Sequence, residues 1–139
     1  MHQALHHLRV STAGRGLVDI TSLVGRWLAE QRIGTGLLTL FCRHTSASLL
    51  IQENADPDVR KDLEAFLERI APEAPGRYAH GTEGPDDMPA HIRAALTQTQ
   101  LAVPVSEGRM VLGTWQGLYL CEHRRAPQRR AVVLHLIGE

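Results

Sequence analysis

Apolar residues recur along this chain with two different spacings, and each change of spacing marks a boundary between elements. Residues 3–12 read as a first strand that ends at Gly14-Arg15-Gly16. Asp19 or Thr21 then caps a helix whose buried stripe is Leu23, Val24, Trp27 and Leu28, with Gly34 as its stop. Residues 35–43 form a near-continuous apolar run, the pattern of a strand covered on both faces. A further strand follows at 47–52, and over 58–70 Val59, Leu63, Phe66, Leu67 and Ile70 keep helical spacing between Pro57 and Pro72. A short helix is expected over 89–98. Residues 101–105 and 109–112 read as a hairpin across Ser106-Glu107-Gly108, and 118–123 and 131–137 as another around Ala126-Pro127-Gln128. Strands at both ends with helices between them predict an α+β domain spanning 1–139. Its sheet would be mixed, largely antiparallel and covered by helices, and not a doubly wound βαβ array.

Between the two central helices lies a segment of different character, 78–91. It holds His80, Glu83, Asp86, Asp87 and His91 on a stretch broken by Gly81, Gly84, Pro85 and Pro89. Those residues exclude a helix or central strand through its middle, so the polar groups sit on a loop. Pro89 suits a first helical turn, Asp87 lies near the N-cap, and Ile92, Ala95 and Leu96 supply the buried stripe. Such a loop, fixed at one end by a helix, can display metal ligands or acid–base groups. It can equally be a helix cap flanked by solvated histidines, and its residues leave both readings open.

Composition narrows the classes. The 139 residues carry 15 basic and 15 acidic side chains, a net charge of zero, which argues against non-specific nucleic-acid binding. No apolar run is long enough to cross a bilayer, and residues 1–4 lead into histidines with no apolar signal core, so a cytoplasmic location is expected. Cys42 and Cys121 each lie in an apolar stretch, which favours two buried reduced thiols. Charge is unevenly spread: residues 53–91 hold ten acids against four bases, while Arg109, Arg124, Arg125, Arg129 and Arg130 gather toward the end. These regions could meet as a metal site and an anion site, or remain two solvated faces.

Three further clusters carry chemistry. His44-Thr45-Ser46-Ala47-Ser48 stands at a break between two strands, where small hydroxyls and backbone N–H groups can hold a phosphate or simply satisfy a turn. His44 is open to the roles of ligand, base or structural partner. Glu53, Asn54 and Asp56 close the next strand, with Asp56-Pro57 suited to a helix cap. In Gly113-Thr114-Trp115-Gln116-Gly117 the glycines permit close backbone approach beside an indole and an amide. Glu122 ends an apolar strand next to Arg124 and Arg125.

The motifs HTSAS at 44–48, ENADP at 53–57, EGPDDMPAHI at 83–92 and GTWQG at 113–117 stand in an order that closely resembles the YjbQ-like family. The resemblance spans essentially the whole chain. It implies an α+β homotrimer with secondary thiamine-phosphate synthase activity, joining a pyrimidine pyrophosphate to a thiazole phosphate with loss of pyrophosphate. Carried onto this sequence, it implies His44, His80 and His91 as a metal-binding set, for which imidazole ligands favour Zn²⁺ over Mg²⁺. Glu53, Asp87 and Glu122 become acid–base or supporting carboxylates. Thr45, Ser46, Asn54, Trp115, Gln116, Arg124 and Arg125 become contacts to a small phosphorylated metabolite. Histidine-rich ligation fits pyrophosphate chemistry less well than carboxylate-bound Mg²⁺ would. A metal-dependent hydrolase of a small phosphate ester, or a non-enzymatic trimer binding a metal or anion, therefore stand as alternatives.

Overall fold

A computed structural model describes residues Met1–Glu139. The chain runs β1 (His2–Thr12), β2 (Gly16–Asp19), α1 (Thr21–Glu30), β3 (Gly36–Cys42), β4 (Ala47–Glu53), α2 (Pro57–Ile70), α3 (Asp87–Leu96), β5 (Gln100–Ser106), β6 (Arg109–Met110), β7 (Gln116–Glu122) and β8 (Gln128–Gly138). The expected α+β class holds, and its strands resolve into two sheets. One has the order β1-β8-β3-β5-β6 and the other β2-β7-β4, and every pairing is antiparallel. Their inner faces and the buried side of α1 share one core, in which Val24, Leu28, Leu38, Leu40, Leu49, Leu118, Leu134 and Leu136 are fully or almost fully buried. Residues 98 and 99 stitch the two sheets together. Thr99 O accepts from Cys42 N, while Gln98 exchanges backbone hydrogen bonds with Leu49.

Local chemistry sets the element ends. Asp19 Oδ1 accepts from the Thr21 N–H at 2.9 Å, and the Thr21 hydroxyl accepts from Leu118 N, tying the start of α1 to β7. The helix ends at Glu30, and Arg32, whose φ of 57° lies in the left-handed region, turns the chain two residues before the expected Gly34. Asp56 caps α2 by accepting from Asp58 N at 2.9 Å, as its sequence predicts. Glu107 and Gly108, with φ of 52° and 73°, make the tight turn between β5 and β6. At one end of their pairing β3 and β8 approach closely: a Cβ on Gly138 would stand 2.1 Å from Thr35 O.

Two expectations are corrected, and one strand is added. The second hairpin does not form, because β7 pairs with β2 and β4 while β8 lies between β1 and β3 in the other sheet. The strand covered on both faces is β7, buried from Gly117 to Glu122, and not β3, where Leu37 and Phe41 face outward about half exposed. Strand β2 was not anticipated; Leu17 and Val18 are too short an apolar run to signal one.

Candidate metal centre

Helix α3 builds the site. Asp87 and His91 stand four residues apart, so both project from one face of its first turns. Gly84, with φ of 109°, turns the preceding loop back so that His80 reaches the same place. Asp87 Oδ2 then lies 2.6 Å from His80 Nε2 and 3.0 Å from His91 Nε2. The ligand atoms of these three residues all fall within 4.8 Å of one another.

The hydrogen-bond inventory makes this cluster informative. His91 Nδ1 lies 3.0 Å from the carbonyl oxygen of Thr45, which can only accept, so Nδ1 carries a proton. In the neutral ring Nε2 then holds a lone pair, aimed at a carboxylate oxygen 3.0 Å away. Two lone pairs at that distance repel unless a proton or a cation lies between them. Ligand atoms sharing one tetrahedral Zn²⁺ at about 2.1 Å stand roughly 3.4 Å apart, a little more than this contact, and a backbone carbonyl on the distal N–H is the usual support for a ligating imidazole.

Asp87 is held anionic from its other side. Burial opposes its charge, but the hydrogen bond from His80 and the charge of Arg124 hold its carboxyl below the usual range. Arg124 donates to Asp87 Oδ1 at 2.7 Å and to Asp86 Oδ2 at 3.0 Å, and its Nη2 also caps the Glu83 carbonyl. Asp86 loses some anionic character to burial, yet the Arg124 guanidinium and the Arg125 backbone N–H bring its pKa down to about 2. The Asp86 and Asp87 side chains are therefore not merely solvated helix caps.

Other expected site residues divide by position. His44 does not join the cluster. Its Nε2 accepts from Ala131 N at 2.7 Å, which leaves Nδ1 as the protonated nitrogen and no free lone pair for a cation. Burial and Arg130 also lower its pKa, keeping the ring neutral. His44, Thr45 and His91 nevertheless line one open cavity of about 600 Å³, while His80 lines a second of about 270 Å³ on the loop side. Ser46 is engaged by Arg130, whose Nη2 donates to its hydroxyl. Glu122 is fully buried; burial works against its charge, but Arg130, the Thr12 hydroxyl and the Arg124 N–H outweigh it and hold the carboxylate ionised. Arg124 is taken by the aspartates and Arg125 by Glu73.

The remaining group lies elsewhere. Ala47 pairs with Glu122 at one end of the smaller sheet and Glu53 with Gln116 at the other, six residues or about 20 Å away. Glu53 accepts from Asp56 N, Gln116 Oε1 from Gly113 N, and Asn54 donates to the Gln116 carbonyl, while Trp115 is 62 % exposed. One chain thus does not bring Glu53, Asn54, Trp115 and Gln116 to the histidine cluster. Sequence reading missed Arg130, the partner of Glu122, and buried Arg93, whose Nη2 holds Glu68. Arg93 follows the helical spacing of the buried face of α3, a signal that was available; the Arg130–Glu122 contact needed the register of β7 and β8.

Comparison with known proteins agrees with the fold. The model of the family described as UPF0047 protein YjbQ-like matches residues 6–139. The UPF0047 protein sll1880 of Synechocystis sp. is 51 % identical over 99 % of this chain and 92 % of its own. The UPF0047 protein YjbQ of Escherichia coli O157:H7 is 44 % identical over 95 % and 96 %. A crystal structure of an uncharacterized YjbQ/UPF0047 protein from Clostridium acetobutylicum superposes with a TM-score of 0.87 at 35 % identity, covering 95 % of this chain and 99 % of that one. The chain therefore belongs to the YjbQ-like family of UPF0047 proteins, whose function those names leave open.

Proposed function

We propose that His80, Asp87 and His91 hold a divalent cation, Zn²⁺ in preference to Mg²⁺, and that the protein is a cation-dependent enzyme acting on a small phosphorylated metabolite. The observation that carries this reading is the His91 ring: its Nδ1–H is fixed on the Thr45 carbonyl, so in the neutral ring its Nε2 lone pair confronts Asp87 Oδ2. Two imidazoles with one carboxylate suit a borderline ion with open positions. When bound, such a cation supplies Lewis acidity toward a phosphoryl oxygen. The chain's own residues provide the remainder. Arg124 keeps Asp87 ionised and aims Oδ2 toward the histidines, and the cavity beside His91 admits the substrate.

Hydrolysis of a phosphate monoester is the first reading, and neither Glu122, which is committed to Arg130, nor Glu53, at the far end of the sheet, serves as its base. The synthase-type transfer is the second reading, favoured by a cavity of about 600 Å³, room enough for two small substrates. A homotrimer also belongs to this proposal. It is supported by the outward apolar side chains of Leu5, Leu37 and Ile137, which lie together on β1, β3 and β8.

Elemental analysis of untagged protein tests the centre. About one cation per chain, lost in His80→Ala and His91→Ala with the fold retained, is the expected result. A wild-type protein that carries no cation even after dialysis against Zn²⁺ removes it. Orthophosphate release from single esters would then assign a hydrolase, and pyrophosphate release from paired substrates a synthase.

A further inference from the structure

Arginines in this chain fall into two groups. Arg124, Arg125 and Arg130 are among those that hold a carboxylate, whereas Arg9, Arg43 and Arg129 are among those that hold none. The sheet register gathers these three. Arg9 is the cross-strand partner of Ala131, and on the other side of β8 the Arg43 N–H donates to the Ala131 carbonyl. Arg9 and Arg43 thus flank Ala131 in one row, with their Cα atoms about 10 Å apart. Arg129 lies two residues along β8 from Ala131 and so on the same face. All three are exposed on the outer face of the five-stranded sheet, at the end beside His44.

Arg43 also lines the cavity that reaches His91. No aspartate or glutamate lines that cavity; its wall includes the half-exposed ring of Phe41, and the small side chains of Ala94 and Ala95 leave its floor open. Three unneutralised guanidinium groups beside a carboxylate-free cavity create a positive potential that no internal partner cancels. Guanidinium forks match phosphate oxygens, and an aromatic wall over alanines suits an apolar or planar body.

We infer that this cavity binds an organic phosphate monoester, its phosphate held by Arg43 with Arg9 and Arg129 and its apolar body against Phe41 and the α3 alanines. This extends the reading of the neighbouring centre by naming the substrate class and the residue that selects it. The anion contact itself does not depend on a cation.

The test is calorimetric titration of phenyl phosphate into the full chain kept in EDTA. Saturable binding is expected. It should weaken about tenfold or more in Arg43→Gln and in Ala95→Leu, which fills the floor, with unchanged circular dichroism. Phenol, lacking the anion, should bind far more weakly, and added salt should lower the affinity of phenyl phosphate. No saturable binding, equal affinity for phenol, or an Arg43→Gln variant that binds like wild type would each overturn the assignment. So would Arg43-dependent binding of a single-stranded RNA oligonucleotide in place of phenyl phosphate. The two readings fail separately. Protein that takes up no Zn²⁺ yet binds phenyl phosphate through Arg43 leaves this inference standing, and protein that takes up Zn²⁺ but ignores Arg43→Gln removes it alone.

Discussion

The proton inventory of individual side chains separates ligands from bystanders. On the proposed centre, His44→Ala should leave Zn²⁺ uptake unchanged, because the His44 lone pair already faces Ala131 N, whereas Asp87→Asn should weaken Zn²⁺ affinity by at least about ten- to a hundredfold, a range typical even of supporting residues. Equilibrium dialysis against Zn²⁺ reads both. Arg130→Met would strand the fully buried Glu122 carboxylate without its 2.8 Å and 2.5 Å partners. We expect a loss of about 3–5 kcal/mol in urea denaturation, much of it recovered when Glu122→Gln is added. His123 gives a signature in pH. Burial first, then the Arg93 charge, lowers its pKa to about 4, against about 6.5 in an unfolded chain. Between those values the unfolded chain binds a proton that the folded chain refuses. Its contribution to stability is therefore complete above about pH 6.5 and falls as the pH drops toward 4, by roughly 3 kcal/mol in total. In His123→Gln that part of the pH dependence should vanish.

At the scale of elements, close strand approach sets what the sheets tolerate. Gly138→Ala would drive a methyl group against the Thr35 carbonyl, so β3 and β8 would have to separate. A loss of at least about 1–3 kcal/mol is expected, measured by thermal or urea unfolding. Most elements were legible in the sequence because their signals are local. Helix α2 announces itself through Asp56-Pro57 and its apolar spacing, and the tight β5–β6 turn through Glu107-Gly108. The division into two sheets was not legible, since an apolar strand such as β7 carries no mark of which neighbour it will take. The site was legible in part for the same reason. His80, Asp87 and His91 lie within twelve residues, so local geometry brings them together, whereas the position of His44 depends on a contact 87 residues away.

Across the whole molecule, the outer face of the larger sheet divides in two. Leu5, Leu37 and Ile137 occupy one end and Arg9, Arg43 and Arg129 the other. A second copy would dock on the apolar end and leave the cationic end beside the cavity. Sedimentation equilibrium should give about three chain masses for wild type, and the Leu5→Lys, Leu37→Lys double variant should sediment as a single chain. A single-chain wild type would refute the trimer while leaving the proposed metal centre untouched.

The two thiols offer a consequence of another kind. Cys42 belongs to the larger sheet and Cys121 to the smaller, and each is 2 % exposed and free. Burial pushes up the Cys42 thiol and takes that of Cys121 to about 12, so neither reacts until its own sheet opens. The chain thus carries one silent reporter in each sheet. Alkylation followed peptide by peptide would reveal whether the sheets breathe as one body or separately, and adding Zn²⁺ would identify the sheet that feels the proposed metal centre.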